Sequence, residues 1–383
     1  MLRLRRGEES KLTDWYFEID KRLLWLVLIL ICVGLVTLVS AGAAQAARMN
    51  PPQPWYFFLK KAFIPYTIGL ICLFGFSMLN KDKIIKISVL GLLVGIGFLL
   101  VTIVHPFKEH GSARWVRIMG QRFMPADVIK PFFIMITAWF LAKMHSVYGR
   151  DIFLNKDAWK LKKISWWPYL SVFAICILFI FLHPDVGTAL LYVGVLAIML
   201  FVAGLPWKLL PSIFGIICVL GVAALMVMPH IQDRAKQIFY TVPRSQIWYS
   251  KNSIRHGGLF GKGDESFVKD VLPESTNDFV YSAIAEDWGA IIASGLVVLL
   301  FLVLMKIIKH AVYAKDDFVV YAATGTAALF GGQICFNLMT ALHLFFNKGM
   351  TLPFISYGGI SFITFCVLFG MLLAIIREDT WQN

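Results

Sequence analysis

Long apolar runs, separated by short polar segments, dominate the chain. A helix needs about 20 mostly apolar residues to cross the hydrocarbon core of a bilayer. The pattern therefore predicts about ten membrane spans. They are expected at residues 23–44, 62–79, 84–104, 128–147, 165–182, 186–203, 207–228, 279–305, 318–346 and 359–376.

These runs predict an all-α polytopic membrane protein. We expect a cytoplasmic N-terminal tail over 1–22, a transmembrane domain over 23–377 and a cytoplasmic C-terminal tail over 378–383. The domain includes a large extracytoplasmic loop at about 229–278.

Basic residues in the short loops predict the orientation, because Lys and Arg accumulate on the cytoplasmic side. If the N-terminus is inside, the loops around Lys81, Arg150 and Lys306 lie on the same side. The outer loop 105–127 is also rich in arginine, which departs from this rule. Its arginines meet either lipid headgroups or an anionic ligand, and the sequence leaves both open.

The composition agrees with lipid as the solvent. Hydrophobic residues make up 58% of the 383 positions and charged residues 15%, against about 45–50% and 25% in soluble proteins. The net charge of +13 is spread over short loops, which disfavours a nucleic-acid surface and favours anionic headgroups or phosphorylated substrates. The six cysteines form no CxxC pair, so no cysteine metal site is indicated.

Ionisable residues at the edges of spans are costly and often functional. Asp127 and Lys130 share one helix face at the start of the fourth span, which fits either structural pairing or ligand binding. Asp185 follows a proline at a helix start, which favours an N-cap over catalysis.

Asp278 lies where the large outer loop meets the eighth span. Glu286 is about 12 Å deeper along that helix and about 80° around it. A carboxylate at a partly dry helix mouth can be tuned towards general-base chemistry, whereas capping is the simpler role.

The segment 347–359 carries a lysine, a proline, two hydroxyl residues and paired glycines between the last two spans. It is either an ordinary outer loop or a re-entrant segment lining a site, since irregular backbone at membrane depth requires protein cover. The glycine-rich stretch 257–263 is not a phosphate loop, because Lys262 is followed by glycine rather than Ser or Thr.

These motifs, in this order, resemble the SEDS family (shape, elongation, division and sporulation proteins, including FtsW and RodA) over about residues 23–377. The most specific match is Lys-Gly-Met-Thr-Leu-Pro-Phe-Ile-Ser-Tyr-Gly-Gly at 348–359, whose start resembles the FtsW branch. Gln333, Asn337 and the stretch 253–263 fit as well. Departures from the usual family pattern occur at Ala126, Asp127, His183, Thr276, Asn277 and Ile360.

The resemblance implies a peptidoglycan glycosyltransferase that polymerises lipid II, an undecaprenyl-pyrophosphate-linked disaccharide peptide. The reaction would take place at the outer face of the bacterial cytoplasmic membrane, at the division septum. Asp278 is the expected catalytic residue. The expected substrate- or pyrophosphate-binding residues are Arg114, Lys130, Lys348, Ser356 and Tyr357. Supporting roles are expected for Asp127, Asp185, Gln246, Glu274, Glu286 and Asn337.

The resemblance also implies partners: a class B penicillin-binding protein transpeptidase and other division proteins, with no nucleic acid. No covalently bound cofactor is expected, and a requirement for Mg²⁺ or Mn²⁺ is left open. A lipid II flippase, a RodA-type elongation polymerase and a scaffold for the transpeptidase are the alternatives. A flippase needs charges along a path through the membrane, and Glu286 and Asp287 are the main candidates deep enough to serve it.

Overall fold

The computed structural model describes residues 11–104, 107–109, 112–118, 121–160, 164–182, 186–209, 245–272, 274–345 and 349–380, with isolated positions between 211 and 232. Within 103–123 and 180–186 the description is confined to the backbone.

Helices make up most of the described chain. They are α1 Lys11–Glu18, α2 Lys21–Ala47, α3 Phe57–Ser77, α4 Lys81–Val104, α5 Pro125–Tyr148, α6 Trp166–Leu182, α7 Val186–Val202, α8 Gln246–Gly257, α9 Val268–Val271, α10 Val280–Tyr313, α11 Asp317–Ala341 and α12 Gly359–Thr380. Short 3₁₀ turns occupy Lys156–Trp159, Trp207–Leu209 and Gly263–Glu265.

Seven of the described helices are long and apolar enough to cross a membrane, by length and composition: α2, α3, α4, α5, α10, α11 and α12. Two shorter apolar helices coincide with the predicted spans at 165–182 and 186–203. The predicted span 207–228 falls largely outside the described residues. A multi-pass helical membrane protein is therefore confirmed, while the number ten stays a prediction.

The loop expected at 105–127 contains a small antiparallel sheet in the order β1 Phe107–Glu109, β2 Ser112–Ile118, β3 Gln121–Phe123. Phe107 pairs with Trp115, and Val116 pairs with Phe123. The apolar-run pattern did not predict this sheet, because β1 and β3 have three residues each and β2 does not alternate strictly between polar and apolar residues.

Helices α5, α11 and α12 form the centre of the bundle. Of an 18-residue apolar stretch in each of these helices, 67%, 72% and 83% of the residues are buried. In the corresponding stretches of α3, α4 and α10, only 28% of the residues are buried, which leaves apolar side chains on the outside of the bundle. In a membrane protein such surfaces face lipid, so the outer helices present the bilayer-facing surface.

Polar contacts join the chain ends on one face of the bundle. Asp20, the N-cap of α2, lies 2.6 Å from Lys306 and 2.7 Å from His310 near the end of α10. Glu18 pairs with Arg377 at the end of α12. The N-terminal helix, the end of α10 and the C-terminal helix thus share the face predicted for them, and its cytoplasmic location stays a prediction.

Helix α10 breaks at Gly289, which has φ 83°. The backbone groups around the break bond to the glycine-rich stretch: Ala290 N–H donates to Gly258 O at 2.9 Å, and Lys262 N–H donates to Glu286 O at 2.8 Å. A β-carbon at Gly261 would lie 2.3 Å from Asp287 O. The glycines therefore serve close backbone approach to the broken helix.

Candidate active site

Asp278 sits in a tight turn immediately before α10, where the sequence predicted it. Glu274 has φ 57°, and its carbonyl accepts the N–H groups of Asn277 (3.0 Å) and Phe279 (3.3 Å). The Glu274 carboxylate also accepts a bond from Asn277 Nδ2 at 2.5 Å. Exposed Glu274 thus shapes the turn that presents Asp278, which is itself half-buried.

The segment 350–356 is a covered, irregular stretch rather than an exposed loop. Leu352, Phe354 and Ser356 are 1–3% exposed. Phe354 has φ 64° and packs against several phenylalanines of α11 and α12. A β-carbon at Gly34 of α2 would lie 2.2 Å from Phe354 O, so α2 also closes over the segment. Of the two interpretations left open, the structure supports the protein-covered segment.

This covered segment packs directly on the turn that carries Asp278. Ser356 Oγ donates to Asn277 O at 2.6 Å and accepts from Leu352 N–H at 2.8 Å. The backbone N–H of Tyr357 donates to Thr276 O at 2.8 Å. Ser356 therefore holds the two segments together, and its substrate-binding role stays a prediction, as does that of Tyr357. Burial raises the pKa of the Tyr357 hydroxyl.

Two carboxamides one helical turn apart on α11 position the same segment. Asn337 Nδ2 donates to Asp278 O at 2.8 Å and to Met350 O at 2.7 Å. Gln333 Nε2 donates to Thr351 O at 2.9 Å. Each amide bonds backbone that has no regular secondary structure, so these buried carbonyl groups gain the hydrogen-bond partners that a helix or strand would otherwise supply.

Lys130 connects α5 to this network. Its side chain is almost fully buried, with Nζ 2.6 Å from Asp127 Oδ1 and 3.0 Å from Gln333 Oε1. The predicted Asp127–Lys130 pair is confirmed as a contact. Its second bond, through Gln333 to Thr351, brings a buried positive charge close to the segment beside Asp278.

Glu286 and Asp287 belong to a separate cluster. Glu286 is fully buried and accepts bonds from Ser253 Oγ (2.7 Å), His256 Nδ1 (2.8 Å) and the backbone N–H of Phe267, Val268 and Lys269 (3.1, 2.9 and 2.6 Å). Asp287 bonds Ser40, Ser266 and Lys269. Both carboxylates therefore fasten the loop residues 253–269 to α10, and the supporting role predicted for Glu286 stays a prediction.

Four predicted residues remain: Gln246, Arg114, Asp185 and Lys348. Gln246 begins α8, half-buried and preceded by the cap residue Ser245. The backbone of Arg114 lies in β2, and its side chain lies outside the description, as do Asp185 and Lys348. Their predicted roles stay predictions.

The structure adds residues that the sequence did not single out as site residues. Thr351 Oγ1 bonds Ser361 Oγ at 2.8 Å, and Thr276 Oγ1 donates to Gln45 Oε1 at 2.8 Å. Gln333 had a signal, since polar amides four residues apart inside an apolar span are costly unless they bond something. Gln45 had none, because its partner is distant in sequence.

The part of the chain that the structure describes holds no group of three or more His, Cys, Asp or Glu residues able to bind a metal ion. Near Asp278, the carboxamide oxygens of Asn277 and Asn337 are buried and have no hydrogen-bond partner among the described residues. Oxygens of this kind suit Mg²⁺ or Mn²⁺.

The fold and the site define a multi-pass helical membrane protein with an acidic residue at the mouth of one helix, held by a covered irregular segment. The model of the FtsW/RodA/SpoVE cell cycle protein family matches residues 21–380. The chain belongs to this family.

The relatives cover nearly the whole chain. A probable peptidoglycan glycosyltransferase FtsW of Caulobacter vibrioides is 28% identical over 97% of this chain and 93% of its own length. The protein of the same name from a Geobacter species is 29% identical over 92% and 95%.

Solved structures share the fold. A chain from a peptidoglycan synthase complex that coordinates polymerisation and crosslinking matches with a TM-score of 0.75 at 23% identity, over 95% of this chain and 99% of that one. The rod shape determining protein RodA of Thermus thermophilus matches with a TM-score of 0.66 at 23% identity, over 94% and 97%.

Proposed function

We propose that this protein is a peptidoglycan glycosyltransferase that polymerises lipid II during cell division, on the extracytoplasmic side of a bacterial cytoplasmic membrane. The observation that carries the proposal is the placement of Asp278. Its carboxylate lies at the surface-exposed Gly349, at one end of a segment that Asn337 and Gln333 hold rigidly. The names of the relatives support the activity and favour division over elongation.

In the proposed reaction, an acceptor sugar hydroxyl attacks the anomeric carbon of a lipid-linked donor. A glycosidic C–O bond forms while the bond from that carbon to the lipid diphosphate breaks. The hydroxyl proton passes to Asp278, acting as general base. Negative charge on the leaving diphosphate calls for nearby positive charge, for which Lys130, Arg114 and Lys348 are the candidates.

A divalent cation at this site stays a prediction. Asp278 and the unpartnered oxygens of Asn277 and Asn337 would hold it, and it would stabilise the leaving diphosphate. Polymerisation in excess chelator, then with Mg²⁺ or Mn²⁺ restored, tests the requirement. An undiminished rate in chelator would remove the cation from the proposal.

Ten spans, cytoplasmic termini, septal location and a class B penicillin-binding protein as partner are proposed with the activity. One structural neighbour is part of a complex that also crosslinks, which supports a transpeptidase partner. The flippase alternative would need charges along a path through the membrane, whereas Glu286 and Asp287 both bond residues of the outer loop.

The deciding experiment measures glycan ladders from fluorescent lipid II. The chain is purified with a class B penicillin-binding protein, and wild type is compared with Asp278→Asn. Glu265→Gln, an exposed carboxylate in the same outer loop, is the control. Ladders that vanish only in Asp278→Asn support the proposal. Undiminished ladders exclude Asp278 as the base, and lipid II translocation in vesicles without ladders would favour the flippase.

A further inference from the structure

Two large apolar side chains stand exposed at the turn that follows α8. Leu259 is 63% exposed and Phe260 is 83% exposed. The turn ends at Gly261, with φ 86°, whose backbone packs on α10 at Asp287. Leu259 and Phe260, called here the apolar tip, are therefore held out from the outer loop by a turn anchored on both sides.

The depth of the tip follows from two helices that cross the bundle. Lys306 and His310 of α10 meet Asp20, the N-cap of α2, at one polar boundary. A rise of about 1.5 Å per residue puts Ala290 about 24 Å from Lys306 and about 30 Å from His310. On α2, Ser40 lies about 30 Å from Asp20 by the same rise, and it contacts Asp287.

Both helices thus place residues 287–291 at the boundary opposite Asp20, because the hydrocarbon core is about 30 Å thick. The tip is bonded at this level: Ile291 N–H donates to Leu259 O at 3.3 Å. Beside it, Ile291 and Ile292 are 55% and 53% exposed at the start of the apolar part of α10. The exposed tip is therefore bonded to α10 at the point where exposed apolar residues of that helix begin and continue into the hydrocarbon region.

We propose that the apolar tip inserts into the lipid leaflet on this side, so that the outer loop is anchored to the bilayer as well as to α10. The occupant is phospholipid acyl chain rather than a protein. The depth agrees with lipid, and the tip is bonded to a bilayer-facing helix. Glu286 and Asp287 would then fix the loop rigidly to the helix while the tip fixes its height above the membrane.

Photo-crosslinking of the full chain in phospholipid nanodiscs tests this. Benzoylphenylalanine replaces Phe260, with Glu265 in the same loop as the aqueous control and Ile292 as the lipid-facing control. Because Phe260 is 83% exposed, its replacement leaves the core intact. We expect a mass increase of one phospholipid at 260, with a yield near that at 292 and at least several-fold above that at 265.

Yields at 260 no higher than at 265, with lipid adducts still found at 292, would overturn the proposal. The same experiment with a class B penicillin-binding protein present covers the protein alternative. Adducts from 260 to that partner in place of lipid would assign the tip to a protein interface. Neither readout depends on glycosyltransfer.

Discussion

The backbone of Gly349 lies directly against the carboxylate of Asp278. A β-carbon at position 349 would stand 2.3 Å from Asp278 Oδ2, closer than real side chains approach. Asn337 Nδ2 holds both backbones by donating to Asp278 O and Met350 O, so the carboxylate is the part that must move. Gly349→Ala is therefore expected to push the carboxylate out of place.

We expect Gly349→Ala to lower lipid II polymerisation at least tenfold, because a general base must stay within about 3 Å of the proton it takes. Glycan ladders measure the effect, and size-exclusion profiles check the fold. Gly97→Ala is the control, since a β-carbon there meets nothing within 4 Å. Wild-type ladders from Gly349→Ala would contradict the assignment of Asp278.

Variants of Lys130 can distinguish a role in structural pairing from a role in catalysis. Lys130→Met leaves half-buried Asp127 and buried Gln333 Oε1 without their donor, and we expect a loss of about 1–3 kcal/mol in the free energy of unfolding. Adding Asp127→Asn removes the stranded charge and should recover most of that loss. Polymerisation by the double variant is expected to remain lost. If activity returned together with stability, Lys130 would have a structural role only.

Glu286 is expected to control the order of the outer loop. Glu286→Gln puts an amide NH₂ among the N–H donors of residues 267–269, which should cost about 1–3 kcal/mol. We expect faster amide hydrogen exchange at 267–269, measured by mass spectrometry of the peptide that spans them. Glu265→Gln, on the exposed side of the same loop, should leave the exchange unchanged. Equal amide protection at 267–269 in both variants would refute this role of Glu286.

Two glycines of the outer loop allow the cost of backbone strain to be compared with the added cost of a close backbone contact. Gly258 has φ 59° and ψ −147°, a backbone region that essentially only glycine adopts, with open space around it, so Gly258→Ala should cost only backbone strain of about 1–3 kcal/mol. Gly261 has φ 86° and also faces Asp287 O at 2.3 Å. Gly261→Ala is expected to lower the unfolding temperature clearly more than Gly258→Ala does. Equal decreases in the unfolding temperature would show that the loop backbone moves to accommodate a β-carbon at Gly261.

Asp20 should make stability depend on pH in the acid range. Although burial opposes its charge, hydrogen bonds from His310, Lys306 and Leu23 N–H lower the pKa of Asp20 below its ordinary 3.8. Because the pKa of Asp20 is lower in the folded state than in the unfolded state, its negative charge stabilises the fold fully at pH values above the unfolded-state pKa. This stabilisation is lost as the pH falls towards the folded-state pKa. Asp20→Asn should therefore lower the unfolding temperature at pH 7, with the difference from wild type shrinking below about pH 4.

Thermal unfolding in detergent from pH 7 to pH 3 measures this difference. Asp82→Asn, an exposed carboxylate at the start of α4, is the control and should show a much smaller one. A constant difference across that range would mean that the Asp20 carboxylate does not act through its charge.

The sequence by itself determined the parts of this protein that depend on local pattern. Apolar runs predicted the helices at 21–47, 57–77 and 359–380 to within a few residues, because crossing lipid requires about 20 apolar residues wherever the helix packs. The spacing of Asp127 and Lys130 predicted their pairing, since residues three apart always share a helix face. The position of Asp278 at a helix mouth was also readable, because it follows directly from where the apolar run begins.

The tertiary structure alone decided which backbone groups each polar side chain meets. The sequence placed Glu286 deeper along the eighth span than Asp278, but only the fold brings three consecutive backbone N–H groups, those of residues 267–269, to its carboxylate. The sequence of residues 350–356 is equally compatible with an open loop. In the folded protein, Gly34, Gln333 and Asn337 lie around this segment. The physical reason is that these bonds join segments far apart in the chain. Their partners are therefore set by how helices pack, which no local periodicity records.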